Sequence, residues 1–169
     1  MTINTNDQNS RVGIVMGSKS DLPAMQAAVD ILKAHDVPCD VRILSAHRTP
    51  MEADEYVSGA ASRGIQVLIC GAGMAAHLAG AFAGRTLLPV IGVPLNASLG
   101  GLDALLATVQ MPPGVPVATV SVGKAGAKNA AWLALRIMAL SDPQIREALA
   151  ESVRAMSQAV LDADAGLRD

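Results

Sequence analysis

Ser45-Ala46-His47-Arg48-Thr49-Pro50 brings an imidazole, a guanidinium and a helix start together within six consecutive residues. A histidine changes charge near neutrality, so it can both give and take a proton, and a positioned acid/base is worth roughly 10²–10⁴ in rate. Arginine carries a permanently charged, planar fork that matches phosphate oxygens in pairs. Both groups must be held in place, and the flanking sequence supplies the means. Residues 39–44 read as a strand, while Thr49 as N-cap, Pro50 at the first helical position and Glu52 three residues past the cap predict a capping box that opens a helix. His47 and Arg48 then sit on a loop at the carboxyl end of a strand, where open α/β sheets bind ligands.

Gly17-Ser18-Lys19-Ser20-Asp21 forms a second strand-to-helix junction. A glycine, free backbone N–H groups, two hydroxyls and a positive helix end suit a phosphate. Asp21 suits a sugar diol, since a carboxylate accepts two hydroxyl hydrogen bonds, although either Ser20 or Asp21 also serves as a plain helix cap. The G-x-x-x-x-G-K-[ST] spacing is absent, which disfavours a nucleoside triphosphate. A third junction follows Gly71-Ala72-Gly73, with His77 either lining a pocket or acting as a satisfied core histidine. His35 ends a predicted helix, where a cation favours the dipole.

Two further motifs are decoys. Residues 71–76 fit G-x-G-x-x-A, but no acidic residue ends the next strand to hold a ribose. Ser121-Val122-Gly123-Lys124 fits S-x-x-K without an accompanying S-D-N or K-T-G. No G-x-S-x-G or H-E-x-x-H is present, so hydrolase and zinc chemistry lack support.

The elements that must position these loops alternate. Strands are expected at residues 12–16, 39–44, 67–70, 88–93 and 117–121, with helices at 22–35, 50–63, 74–84, 102–109 and 125–140. That βα repetition predicts a three-layer, flavodoxin-like α/β fold: a parallel sheet of about five strands, order 2-1-3-4-5, with helices on both faces. The loops after the first three strands then converge. After Ser141-Asp142-Pro143 a last helix restarts over residues 142–165, with Ile145, Leu149, Met156 and Val160 at helical spacing. The sheet is already covered, so this helix is expected to pack on a neighbouring subunit. Residues 11–169 are expected to form one α/β domain behind a disordered polar segment, 1–10.

Composition narrows the partners. Net charge is −2, 17% of residues are charged, and there is one Phe, one Tyr and one Trp, which argues against nucleic acid. No apolar run has membrane-spanning length and no signal peptide is evident, so the expectation is a cytoplasmic protein without a membrane partner. Cys39 and Cys70 fall in predicted strands and read as reduced, buried thiols. Hydrophobic residues make up 51% of the chain, more than a small monomer covers, which points to a homo-oligomer.

These blocks, in this order, together with Ala75-Ala76-His77-Leu78 and Gln110-Met111-Pro112-Pro113-Gly114-Val115-Pro116-Val117, resemble the class I N5-carboxyaminoimidazole ribonucleotide mutases of purine biosynthesis. The resemblance runs from about Val12 to Leu140. It implies transfer of a carboxylate from the exocyclic nitrogen of a ribonucleotide to C4 through CO2, with no metal and no cofactor. It implies that Ser18, Ser20 and Arg48 bind the 5′-phosphate, that Asp21 binds the ribose, and that His47 is the acid/base. Ser45, Ala46, Gly73, Ala75, Ala76 and His77 would enclose CO2 and the migrating carboxylate, with Gly17 and Leu78 completing the substrate-binding set. It also implies an octamer with sites at subunit contacts. Related class II enzymes, which carboxylate aminoimidazole ribonucleotide directly, resemble S-A-H-K where this chain has S-A-H-R. Met74 and Ala79 stand where many relatives have Gly and Pro.

Overall fold

A computed structural model describes residues 9–168. Five parallel strands, β1 (Val12–Met16), β2 (Cys39–Ile43), β3 (Val67–Gly73), β4 (Val90–Leu95) and β5 (Ala118–Thr119), form one sheet in the order β2-β1-β3-β4-β5. The expected topology and strand count are therefore observed. β1 is buried along its whole length, and Val12, Ile14 and Met16 align with Val67, Ile69 and Gly71 of β3. Hydrophobic faces on both sides of such a strand require helices above and below it.

Those helices are α1 (Leu22–Ala34), α2 (Pro50–Ser58), α3 (Leu78–Ala83), α4 (Leu102–Val109) and α5 (Gly123–Met138). Val15, Leu68 and Cys70 pack with Tyr56 and Val57 of α2 and with Leu78 and Phe82 of α3. The opposite face carries α1. A Cβ on Gly71 would lie 2.5 Å from the Met25 sulfur, so the absence of a side chain on β3 lets α1 settle onto the sheet. The first turns of α5 share that face, since a Cβ on Gly126 would approach Val93 of β4 at 3.3 Å.

Several boundaries differ from expectation for local reasons. β2 and β5 are edge strands. Ile43 is 48% exposed, and β5 shrinks to the two residues that pair with Ile91 and Gly92. The helix expected over residues 50–63 stops at Gly59 and gives way to a 3-10 turn, Ala61–Arg63. The helix expected from residue 74 starts only at Leu78. β3 stays extended to Gly73, paired with Leu95, and Met74 then takes φ 55, a left-handed conformation that no helix accommodates. Asp36 and Leu99 share that unusual region, at φ 54 and 44.

The chain divides into two compact units, one ending at Ala134 and the other beginning at Leu135. In the second, α6 (Pro143–Ala165) is capped by the Asp142 carboxylate, which accepts from the backbone N–H groups of Gln144 and Ile145 at 3.1 and 3.2 Å. Ile145 and Leu149 are buried, whereas Val153, Met156, Val160 and Leu161 are exposed. Among the described residues no helix is long and apolar enough to cross a membrane. Of the segment expected to be disordered, residues 1–8 lie outside the described residues and Ser10 is buried. Both cysteines are free; Cys70 is buried and Cys39 half-buried, its thiol pushed up to about 11 by burial and by Asp40.

Candidate active site

The loop after β2 is organised by Ser45. Its hydroxyl accepts from the backbone N–H groups of His47 at 3.3 Å and Arg48 at 3.1 Å, which curls the chain and turns both side chains out of the sheet edge. Thr49 does not cap α2 through its side chain, so the expected capping box is not formed. Its hydroxyl turns back instead, accepting from Ser45 N–H at 2.8 Å and donating to the Ser45 carbonyl at 3.2 Å. Local side-chain hydrogen bonds compete with the cap here, and the loop wins.

The loop after β1 shows a similar economy. Ser18 caps a short 3-10 turn, Lys19–Asp21, and its Oγ accepts from both the backbone N–H and the hydroxyl of Ser20, at 3.3 and 2.8 Å. Neither Ser20 nor Asp21 caps α1 through its side chain: Ser20 lies within the 3-10 turn, and Asp21 holds the N-cap position without a side-chain hydrogen bond to the helix. Burial raises the Asp21 carboxyl from its ordinary value, with the Ser18 backbone N–H and the Arg48 charge pulling part of the way back. Arg48 joins the two loops, a guanidinium N–H donating to the Gly17 carbonyl at 2.5 Å.

The loop after β3 supplies His77. Successive tight turns, Ala76 N–H to the Met74 carbonyl and His77 N–H to the Ala75 carbonyl, both 2.8 Å, lift His77 toward the β2 loop. Its Nδ1 lies 2.9 Å from His47 Nε2. Of the two readings open for His77, the core histidine is excluded: the ring is exposed and partnered by another imidazole. His35 instead ends α1, its Nδ1 2.8 Å from the Ile31 carbonyl and its ring edge-on to Trp132.

Thus Gly17, Ser18, Ser20, Asp21, Ser45, Ala46, His47, Arg48, Gly73, Ala75 and His77 share the carboxyl edge of three adjacent strands. Two expected pocket residues sit deeper. The side chains of Ala76 and Leu78 are 1% and 2% exposed, and Leu78 belongs to the core beneath α2 and α3. The G-x-G-x-x-A stretch opens no helix, which removes the dinucleotide reading.

Residues 11–159 match the family described as AIR carboxylase. The chain belongs to the AIR carboxylase family. Within it, the chain is similar to proteins named N5-carboxyaminoimidazole ribonucleotide mutase: 52% identical to that of Pyrococcus horikoshii, over 95% of this chain and 90% of the relative. The Mycobacterium tuberculosis and Escherichia coli proteins of that name are 49% and 48% identical, over 95% and 90% of this chain and 92% and 91% of their own lengths. The fold is similar to that in the crystal structure of Treponema denticola PurE, with a TM-score of 0.86 at 28% identity, covering 95% of this chain and 99% of that one.

Sequence reading missed the Ser45 and Thr49 hydroxyls as the loop's scaffold and the pairing of two histidines thirty positions apart. It also missed Asn96 and Lys124, which line a cavity with Ser20 and Asp21. The available signal was positional, since both follow the carboxyl ends of strands in the same sheet.

Proposed function

We propose that this protein is an N5-carboxyaminoimidazole ribonucleotide mutase, an isomerase of purine biosynthesis. The observation that carries the proposal is the His47–His77 contact at the mouth of a loop that Arg48 ties to the Gly17–Asp21 turn. The relatives named above support the same reading.

The residues divide the work by chemistry. Ser18, Ser20 and Arg48 hold the 5′-phosphate and Asp21 accepts the ribose hydroxyls, fixing the imidazole ring beneath His47. His47 donates a proton to the exocyclic nitrogen as the N–C bond of the carbamate breaks and CO2 departs. The ring, now electron-rich at C4, attacks CO2 through that carbon, and His47 takes the C4 proton to restore aromaticity. One group thus moves one proton out and back, and no net proton is consumed. Ala46, Gly73 and Ala75 wall the space with small groups that keep CO2 near C4, an advantage of proximity that bulk water does not offer.

The exposed apolar stripe Val153, Met156 and Val160 on α6 supports packing of this helix on another copy in a homo-oligomer, with an octamer as the expected size. Operation in the cytoplasm follows from that metabolic role.

The test mixes purified protein with N5-carboxyaminoimidazole ribonucleotide, without ATP or added bicarbonate, and follows the C4-carboxylated isomer. Product formation is expected. Turnover only of aminoimidazole ribonucleotide plus CO2 would assign the direct carboxylase instead.

A further inference from the structure

The carboxyl edge of the sheet holds a second feature on the side away from His47. A cavity of about 400 Å³ opens between the starts of α1 and α5, walled by Ser20 and Asp21 on one side and by Lys124 and Val122 on the other, with Leu95 and Asn96 at the end of β4 between them. That volume lies in the range that encloses a small organic ligand, and the lining is of the kind such ligands need: three apolar side chains, Ala24, Leu95 and Val122, with a hydroxyl, a carboxylate, an amide and an ammonium converging.

Charge indicates what it takes. A ribonucleotide carrying a phosphate and a carboxylate brings about −2.5 to −3 charges near neutrality. Arg48 is one cation and already donates one N–H to Gly17. Asp21 faces the cavity as well, and unopposed it would repel a phosphate bound at Ser20. Lys124 is the cation of this cavity, and neither of the described ion pairs, Arg85–Asp54 and Arg168–Asp164, involves it. Its position is built. Gly123 takes φ +72, and Gly126 lies so close to the Ser121 carbonyl that a Cβ would clash, which fixes the turn carrying Lys124. The S-x-x-K spacing is thus the spacing of a turn. The Ser121 hydroxyl accepts from the Asn129 side-chain amide at 3.5 Å.

We infer that Lys124 is a substrate-binding residue that pairs with the 5′-phosphate across the cavity from Ser20, so that the nucleotide's sugar-phosphate half lies in this cavity with Asp21 on the ribose. The inference rests on the proposed function and adds a second cation to it. Lysine suits the role as a compact charge on a flexible stem, able to follow a phosphate rather than grip a planar group.

The experiment compares the full-length protein with Lys124→Met, Lys124→Arg and a control, Lys33→Met, on the exposed side of α1 away from the cavity. Ribose 5-phosphate binding is measured by calorimetry, KM and kcat with N5-carboxyaminoimidazole ribonucleotide, and particle mass by light scattering. The expected result is that Lys124→Met weakens ribose 5-phosphate binding about tenfold, equivalent to 1.4 kcal/mol. KM should rise in parallel with kcat held within about twofold of wild type, the signature of lost uniform binding. Lys124→Arg should recover most of the affinity, and Lys33→Met should match wild type. Unchanged ribose 5-phosphate affinity in Lys124→Met overturns the inference, as does a change in particle mass without a change in affinity, which would assign Lys124 to a subunit contact. Absence of ribose 5-phosphate binding by the wild type also overturns it. Absence of turnover alone defeats the proposed function and leaves the calorimetric comparison to decide the role of Lys124.

Discussion

Nε2 of His47 and Nδ1 of His77 lie 2.9 Å apart, with the two rings at 84° to one another. One of these nitrogens carries the hydrogen and the other accepts it, so the tautomer of each ring fixes that of its partner. Removing His77 by His77→Ala should lower kcat about tenfold or more with little change in KM, because the imidazole loses its orientation rather than its chemistry. His77→Asn, whose amide reaches the Nδ1 position, should fall between. The kcat–pH profile is the deciding measurement, and superposition of the His77→Ala profile on the wild-type curve would falsify the coupling.

His47 itself should behave differently. His47→Asn is expected to lose about 10²–10⁴ in turnover while ribose 5-phosphate binding stays at the wild-type level. Retained turnover in a sample free of wild-type enzyme would remove His47 from the mechanism.

Asp21 links the site to stability. Its carboxyl is raised in the folded protein above the ordinary 3.8, chiefly by burial, so the folded state holds that proton more tightly than the unfolded chain does. Stability contributed at this position therefore falls as pH rises from 3.8 through the folded-state value. Asp21→Asn should melt higher than wild type at neutral pH, the difference shrinking in acid, while KM rises because the ribose loses its acceptor. Equal melting temperatures at neutral pH would show that the carboxylate carries no such cost.

Thr49 supports the catalytic loop through the Ser45 backbone. Thr49→Val keeps the shape of the side chain and removes both hydrogen bonds, and a loss of about 1–2 kcal/mol in denaturant unfolding is expected, with kcat reduced. A variant with wild-type kcat would mean that the loop holds its form without this brace.

Deleting residues 142–169 should reduce particle mass by more than the deleted residues account for, since the exposed stripe of α6 is then lost. Light scattering with an unchanged subunit number would defeat the assembly role of α6.

Much of the fold was legible because β-branched runs such as Val12 to Met16 have no competing helical reading, and the sheet order followed from the βα repetition. The loop bearing His47 was legible for the same reason: its residues are chemically dense and flanked by clear elements. What stayed hidden depends on contacts between distant positions. Nothing near Met74 announces φ 55 in a residue with a side chain, nothing near Thr49 says that its hydroxyl prefers Ser45 to the helix end, and the approach of His77 to His47 exists only after β1 has been inserted between their strands. Lys124 was read as the tail of a chance S-x-x-K because its neighbours across the cavity belong to the opposite end of the chain.

Arg48 fastens itself to a main-chain oxygen at position 17, not to a side chain. Every amino acid offers that oxygen, and a methyl group on Gly17 would meet only the Asp21 carboxylate, at 4.0 Å. Gly17→Ala should accordingly be tolerated, whereas inserting or deleting one residue between Met16 and Ser18 would slide the acceptor out of reach. What this fastening demands of position 17 is therefore a peptide unit at a set count along the chain and no particular side chain.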